Sequence, residues 1–347
     1  MHRSKHLPFT ATWGRWARGA ALCLRMTRPG FLVMTAVGCL VGLASAHGSG
    51  VALSLPAALA TLVLALLAHA AANLLNDHAD ALNGADAANV QALYPFTGGS
   101  RLVQNGVVQV QDMRRLALAL LALVVPGGLW LAWHSGPGLL WIGAVGLVLG
   151  WAYSAPPLAL MARGLGELAV ACSWALIAVG ADYVQRGQWA GVSAAAAVSF
   201  GLMSANVLVG NAFPDAASDA LVGKRTLAVR LGPRGAAVLY LLLAVLAHGW
   251  VGAMVWASVL PPTALWALVA APLALVAGTL LLRHGAQPAR LRPALVLGIA
   301  AVLVHGVALS LGIWNLEFLK EHEHGYPVVS RSHAPDQEGN CRTHQRH

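Results

Sequence analysis

Thr61-Leu-Val-Leu-Ala-Leu-Leu-Ala-His-Ala-Ala-Ala-Asn73-Leu-Leu-Asn76-Asp77-His-Ala-Asp80 runs from a long apolar segment straight into a pair of carboxylates. A second stretch, Asn211-Ala-Phe-Pro-Asp215-Ala-Ala-Ser-Asp219, ends another apolar segment the same way, and in both an Asn stands four residues before the first Asp. The chain has only 13 acidic residues in 347. Four of them in matched pairs at the ends of apolar segments point to a bound divalent cation, because uncompensated carboxylates near lipid are costly.

Working outward, hydrophobic residues make up 58% of the chain and charged residues 10%, where soluble domains carry roughly 25% charged. The composition is that of an integral membrane protein. Segments close to the roughly 20 residues that span a bilayer fall at 30–47, 51–73, 115–134, 138–155, 165–183, 190–210, 236–257, 262–282 and 294–314. The expected fold is therefore all-α: nine transmembrane helices in a single bundle around a central cavity. A basic segment, 1–28, precedes the helical domain at 29–314, and a polar, His-containing tail, 315–347, follows it and is expected to be disordered. Ala44-Ser45-Ala46 has the look of a signal-peptide cleavage site, but small residues are common in membrane helices, and a retained first helix is expected. The four cysteines form no CxxC pair and read as reduced.

Of the 22 Lys and Arg residues, 17 fall on one side of the implied topology. The positive-inside rule then predicts a multi-pass protein of the inner (plasma) membrane with its N-terminus in the cytoplasm and its C-terminus outside. The net charge of +9 needs no nucleic acid to explain it, and part of it is available to an anionic substrate.

This topology puts both acidic stretches on the cytoplasmic face. If the helices continue through them, Asn73, Asp77 and Asp80, and likewise Asn211, Asp215 and Asp219, each project from one helix face; Pro214 either kinks the second helix or starts a new helical turn. Oxygen-only ligands favour Mg²⁺, which takes one or two carboxylates and completes its shell with water and substrate phosphate. Two facing clusters suit a diphosphate, so Asp77, Asp80, Asp215 and Asp219 are the expected metal ligands and catalytic groups. Helix-end capping by Asp and Asn is the bland alternative. The nearby loops Thr97-Gly-Gly-Ser-Arg101 and Gly223-Lys224-Arg225-Thr226 combine glycines, which permit close backbone approach, with basic groups for phosphate. Asn73, Arg101, Tyr153, Asn211, Lys224 and Arg225 are accordingly the expected diphosphate contacts. The Gly223-Lys224 pair lacks the earlier glycine of a Walker A loop. His78 points off the carboxylate face, and Asp182 belongs to the opposite side; neither is assigned a role.

These motifs resemble the UbiA superfamily of intramembrane prenyltransferases. Asn73-Leu-x-Asn76-Asp77-x-x-Asp80-x-x-x-Gly84-x-Asp86, together with Asp215-x-x-x-Asp219 and the run from Gly223 to Gly232, is most similar to its MenA branch, the 1,4-dihydroxy-2-naphthoate prenyltransferases. Position 81 is Ala, whereas the 4-hydroxybenzoate branch spaces its first motif Asp-xxx-Asp, and the loop from Phe96 to Arg101 departs from the form usual in naphthoate enzymes. The resemblance implies transfer of an isoprenyl group from a polyprenyl diphosphate to a hydroxylated aromatic acceptor, with Mg²⁺ and the bilayer as partners. The loops at 84–113 and 220–235 are then cytoplasmic caps that keep water from an allylic cation. Other acceptors, a terpene cyclase of the same superfamily, and a transporter are the alternatives; transporters place their ionisable groups near the bilayer midplane, not at helix ends.

Overall fold

The computed structural model describes residues 9–315, with side chains from residue 18 onward, and all regular structure in that span is helical. An N-terminal helix, α1 (Phe9–Met26), falls inside the segment read from sequence only as basic. It is followed by α2 (Pro29–Gly48), α3 (Leu55–Asn83), the single turn α4 (Ala85–Ala88), α5 (Val110–Ser135), α6 (Gly138–Ser154), α7 (Gly166–Arg186), α8 (Gly191–Leu221), α9 (Leu227–Trp256), α10 (Ala271–His284) and α11 (Arg292–Trp314). A 3₁₀ segment, Pro262–Ala270, leads into α10 and forms one apolar span with it. Among the described residues eight spans are long and apolar enough to cross a membrane, and α6, at 17 residues, is a ninth, shorter apolar helix. The protein is a multi-pass membrane protein.

Local chemistry fixes several helix ends. Proline stands in the first turn of α2, α3, α10 and α11, where its missing N–H costs nothing. Gln109 and Asp112 form a reciprocal capping box at the start of α5. Gly84, at φ 83°, ends α3 in the left-handed conformation that glycine adopts freely.

Helices α3, α8 and α9 run further at their polar ends than hydropathy indicates: α3 continues past Asn73 to Asn83, α8 past Gly210 to Leu221, and α9 begins at Leu227. Hydropathy drops where polar side chains turn inward, while the backbone ladder carries on. Pro214 neither breaks α8 nor starts a new helix. The kink lies instead in α9, at Gly232–Pro233.

Two regions emerge. Helices α2, α7, α8, α9, α10 and α11 pack into a dense core of small residues around Phe200, Met203 and Val251. Their backbones approach so closely that a Cβ on Gly42 would collide with the carbonyl of Ala178, and one on Gly201 with that of Ala171. Helices α3, α5 and α6 instead, with α7 and α8, line a cavity of about 1610 Å³. Exposed Trp133, Trp141, Trp189 and Trp256 gather at one end of the bundle, as interfacial aromatics do. The carboxylates lie at the other end.

Candidate active site at the acidic end of the cavity

Because α3 and α8 both continue as helices through their acidic stretches, the two Asp pairs are delivered to the same end of the cavity. Lys224, in the turn after α8, joins them: its Nζ donates to Asp80 Oδ1 at 3.0 Å and lies 2.9 Å from Asp219 Oδ1. Lys224 thus reaches 144 positions back along the sequence to Asp80, and its one buried ammonium links that residue to Asp219. Burial alone would lower the Lys224 pKa, but Asp80 and Asp219 outweigh it and hold the amine firmly protonated.

Asp80 is further fixed by Asn76 Nδ2 (3.2 Å to Oδ2) and Asn83 Nδ2 (3.2 Å to Oδ1). Asp77 accepts a hydrogen bond from the Ser100 backbone N–H at 2.8 Å, and Arg28 lies 3.6 Å from its other oxygen. That oxygen, Oδ1, is buried and has no hydrogen-bond partner among the described residues. Asp215 accepts from Asn89 Nδ2 at 2.5 Å.

The loop from Gly84 to Gln109 folds over this cluster and adds a fifth carboxylate, Asp86. Its partner is Gln104 Nε2 at 3.2 Å. Burial, and then repulsion from Asp80 and Asp77, push its pKa up to about 7. Among the described residues neither Asp86 nor Asp215 has an ion-pair partner, so five carboxylates face only Arg28 and Lys224 as direct counter-ions.

The surplus of negative charge is what a divalent cation would relieve. A Cβ on Gly99 would sit 2.7 Å from Asp86 Oδ2 and 3.1 Å from Asp77 Oδ1, so this glycine keeps the space between two carboxylates open. Among the described residues no three acidic, His or Cys side chains converge as a ready-made cage. The donor set therefore fits Mg²⁺, which keeps several waters and shares its shell with phosphate, better than a metal that needs a complete protein shell.

Other expected contacts divide. Asn73, Tyr153 and Asn211 line the cavity, with Asn73 also donating to the Thr27 carbonyl at 3.0 Å. Arg101 turns away: its guanidinium donates to the backbone carbonyls of Asp86 (2.7 Å) and Asn89 (3.2 Å), bracing the covering loop. Arg225 is exposed and does not line the cavity. His78 is held by the Val110 carbonyl at 3.0 Å, and Asp182 pairs with Arg186 at 2.8 Å away from the site. The tail histidines and Cys341 lie outside the described residues; Cys23, Cys39 and Cys172 are free thiols.

Sequence reasoning passed over Arg28, Asn89 and the Ser100 N–H as site groups. Asp86 was visible in the motif spacing but carried no assigned role.

An apolar cavity that ends in paired carboxylates within a helical membrane bundle has the form of a small-molecule binding site. Residues 33–297 match the UbiA prenyltransferase family, and the chain belongs to that family. It is 36% identical over 236 residues to the 1,4-dihydroxy-2-naphthoate octaprenyltransferase of Mycobacterium tuberculosis, covering 66% of this chain and 77% of that one. To the Escherichia coli protein of the same name it is 29% identical over 301 residues, covering 84% and 94%. In fold it is similar to a UbiA homologue from Aeropyrum pernix, at a TM-score of 0.61 and 18% identity over 80% of this chain and 97% of that one. A second similar structure is a UbiA homologue from Archaeoglobus fulgidus bound to GPP and Mg²⁺, at a TM-score of 0.50 and 18% identity over 83% and 99%. The chain is a prenyl-transferring enzyme.

Proposed function

We propose that this enzyme transfers an isoprenyl group from a polyprenyl diphosphate to 1,4-dihydroxy-2-naphthoate in an Mg²⁺-dependent reaction of quinone biosynthesis, with the site on the cytoplasmic face of the inner (plasma) membrane. The observation that carries this reading is the meeting of both Asp pairs and Lys224 at one end of the 1610 Å³ cavity. The naphthoate prenyltransferases among its relatives support the acceptor, and the GPP- and Mg²⁺-bound homologue supports the donor and the ion.

Asp77, Asp80, Asp215 and Asp219 would hold the ion, with Asp86 beside them. Bound there, Mg²⁺ would neutralise the charge that grows on the departing diphosphate. Lys224 keeps its proton in this site and can donate to a phosphate oxygen as the allylic C–O bond breaks. Asn73, Asn211 and Tyr153 offer further polar contacts in the lining of the cavity. The apolar walls take the isoprenoid tail, and the loop from Gly84 to Gln109, braced by Arg101, keeps water from the allylic cation until the electron-rich ring captures it.

Purified protein supplied with Mg²⁺, an allylic diphosphate series and a panel of hydroxylated aromatic acids is expected to yield prenylated naphthoate by mass spectrometry. Prenylation of hydroxybenzoate alone would replace the acceptor and keep the mechanism. Release of a cyclised hydrocarbon without an acceptor would replace the reaction.

A further inference from the structure

The charged side chains lining the cavity stand at its acidic end, with one ionisable group apart from them. His69 projects from α3 eight residues before Asp77, about 12 Å deeper at the helical rise of 1.5 Å per residue. Its ring is held in place. Nδ1 lies 2.7 Å from Thr35 Oγ1, and the ring meets the Trp174 indole edge-on, with centroids 4.9 Å apart. Nε2 makes no hydrogen bond among the described residues, and the neighbouring Trp174 Nε1 is buried and also unpartnered.

An imidazole held in an apolar cavity wall with one nitrogen unpaired offers a hydrogen-bonding group to whatever occupies the cavity. An isoprenoid tail has no polar atom and cannot pair with it. A ring hydroxyl can, because the Thr35 hydroxyl is able either to donate to Nδ1 or to accept from it, leaving Nε2 as donor or acceptor to match. We propose that His69, positioned by Thr35 and Trp174, binds a ring hydroxyl of the aromatic acceptor and so helps select it. This inference rests on the aromatic prenyl transfer proposed above and names the wall that reads the acceptor.

The test measures KM separately for acceptor and allylic diphosphate in wild type, His69→Leu and His69→Gln, using whichever hydroxylated acceptor the wild type prenylates. His69→Leu is expected to raise acceptor KM about tenfold, the scale of one lost hydrogen bond, and to leave diphosphate KM within about twofold. His69→Gln, which keeps a polar tip, is expected to recover part of the loss. An acceptor with one hydroxyl methylated should bind worse to wild type but no worse to His69→Leu. Should the Leu variant fail to fold, the same comparison of methylated and free acceptor on His69→Gln and Thr35→Val decides the matter. An unchanged acceptor KM, or a loss confined to the diphosphate, overturns the assignment of His69. A wild type that prenylates no aromatic compound overturns the functional reading beneath it.

Discussion

Helices α3 and α8 are nearly equal in length, 29 and 31 residues, and both end in an Asn-xxx-Asp motif. Yet 72% of the most apolar stretch of α8 is buried inside the protein, against 17% for α3. The difference lies in their neighbours. α8 is wedged among α2, α7, α9 and α11, so its alanines and glycines meet other backbones; α3 packs chiefly on α5, touches α2, α6 and α7 more lightly, and lines the cavity. Small residues thus serve two ends. At Gly42 and Gly201 they allow helices to touch, while Gly143, Gly146 and Gly150 of α6 line the cavity with nothing within 4 Å of where a Cβ would stand. One acidic motif is carried by a rigid wall and the other by a wall bordering open space, and Lys224 joins them.

If that join is essential, its removal has the largest effect. Lys224→Ala leaves Asp80 and Asp219 facing each other without their shared cation, and turnover is expected to fall about a hundredfold, the scale on which lost electrostatic stabilisers act. The two walls should then respond oppositely to added bulk. Gly201→Val forces a side chain into the Ala171 carbonyl, and thermal unfolding of the detergent-purified protein is expected to drop by several degrees, in keeping with the roughly 1–3 kcal/mol cost of overpacking. Gly146→Leu meets open space, so its unfolding temperature should match wild type. Its effect should appear as a several-fold loss of turnover with long donors and little change with short ones. The smallest effect is expected at Arg225, which is exposed; Arg225→Ala should stay within about twofold of wild-type turnover, whereas Arg101→Ala, which frees the covering loop, should lose more. Equal losses at both arginines would show that the loop brace is unimportant.

Much of this was legible in the chain. The apolar segments set the helix order, and the repeated Asn-xxx-Asp spacing, with both copies on one side by parity, identified Asp77, Asp80, Asp215 and Asp219 as a group. Lys224 was legible too, because only a short turn separates it from Asp219. What was hidden depends on how turns fold. The Arg101 guanidinium could be directed at phosphate or at its own loop, and only the backbone path around Gly98 and Gly99 turns it to the carbonyls of Asp86 and Asn89. Asn89 and the Ser100 N–H reach the carboxylates through that same path, which no spacing rule encodes. Arg28 reads as one more positive-inside residue until α2 brings it to 3.6 Å from Asp77. The full lengths of α3 and α8 were concealed because their last turns face the acidic end of the cavity and have no need of apolar side chains.

The central claim is that the two Asp clusters act together on one metal-bound diphosphate. The most direct measurement is calorimetric binding of an allylic diphosphate to the purified protein, with Mg²⁺ and with a chelator, for wild type and for the double variant Asp77→Asn, Asp215→Asn. Wild type is expected to bind only with Mg²⁺, and the folded double variant not to bind measurably and to lose turnover by at least about a hundredfold. A double variant that binds the diphosphate and turns over like wild type would contradict the account.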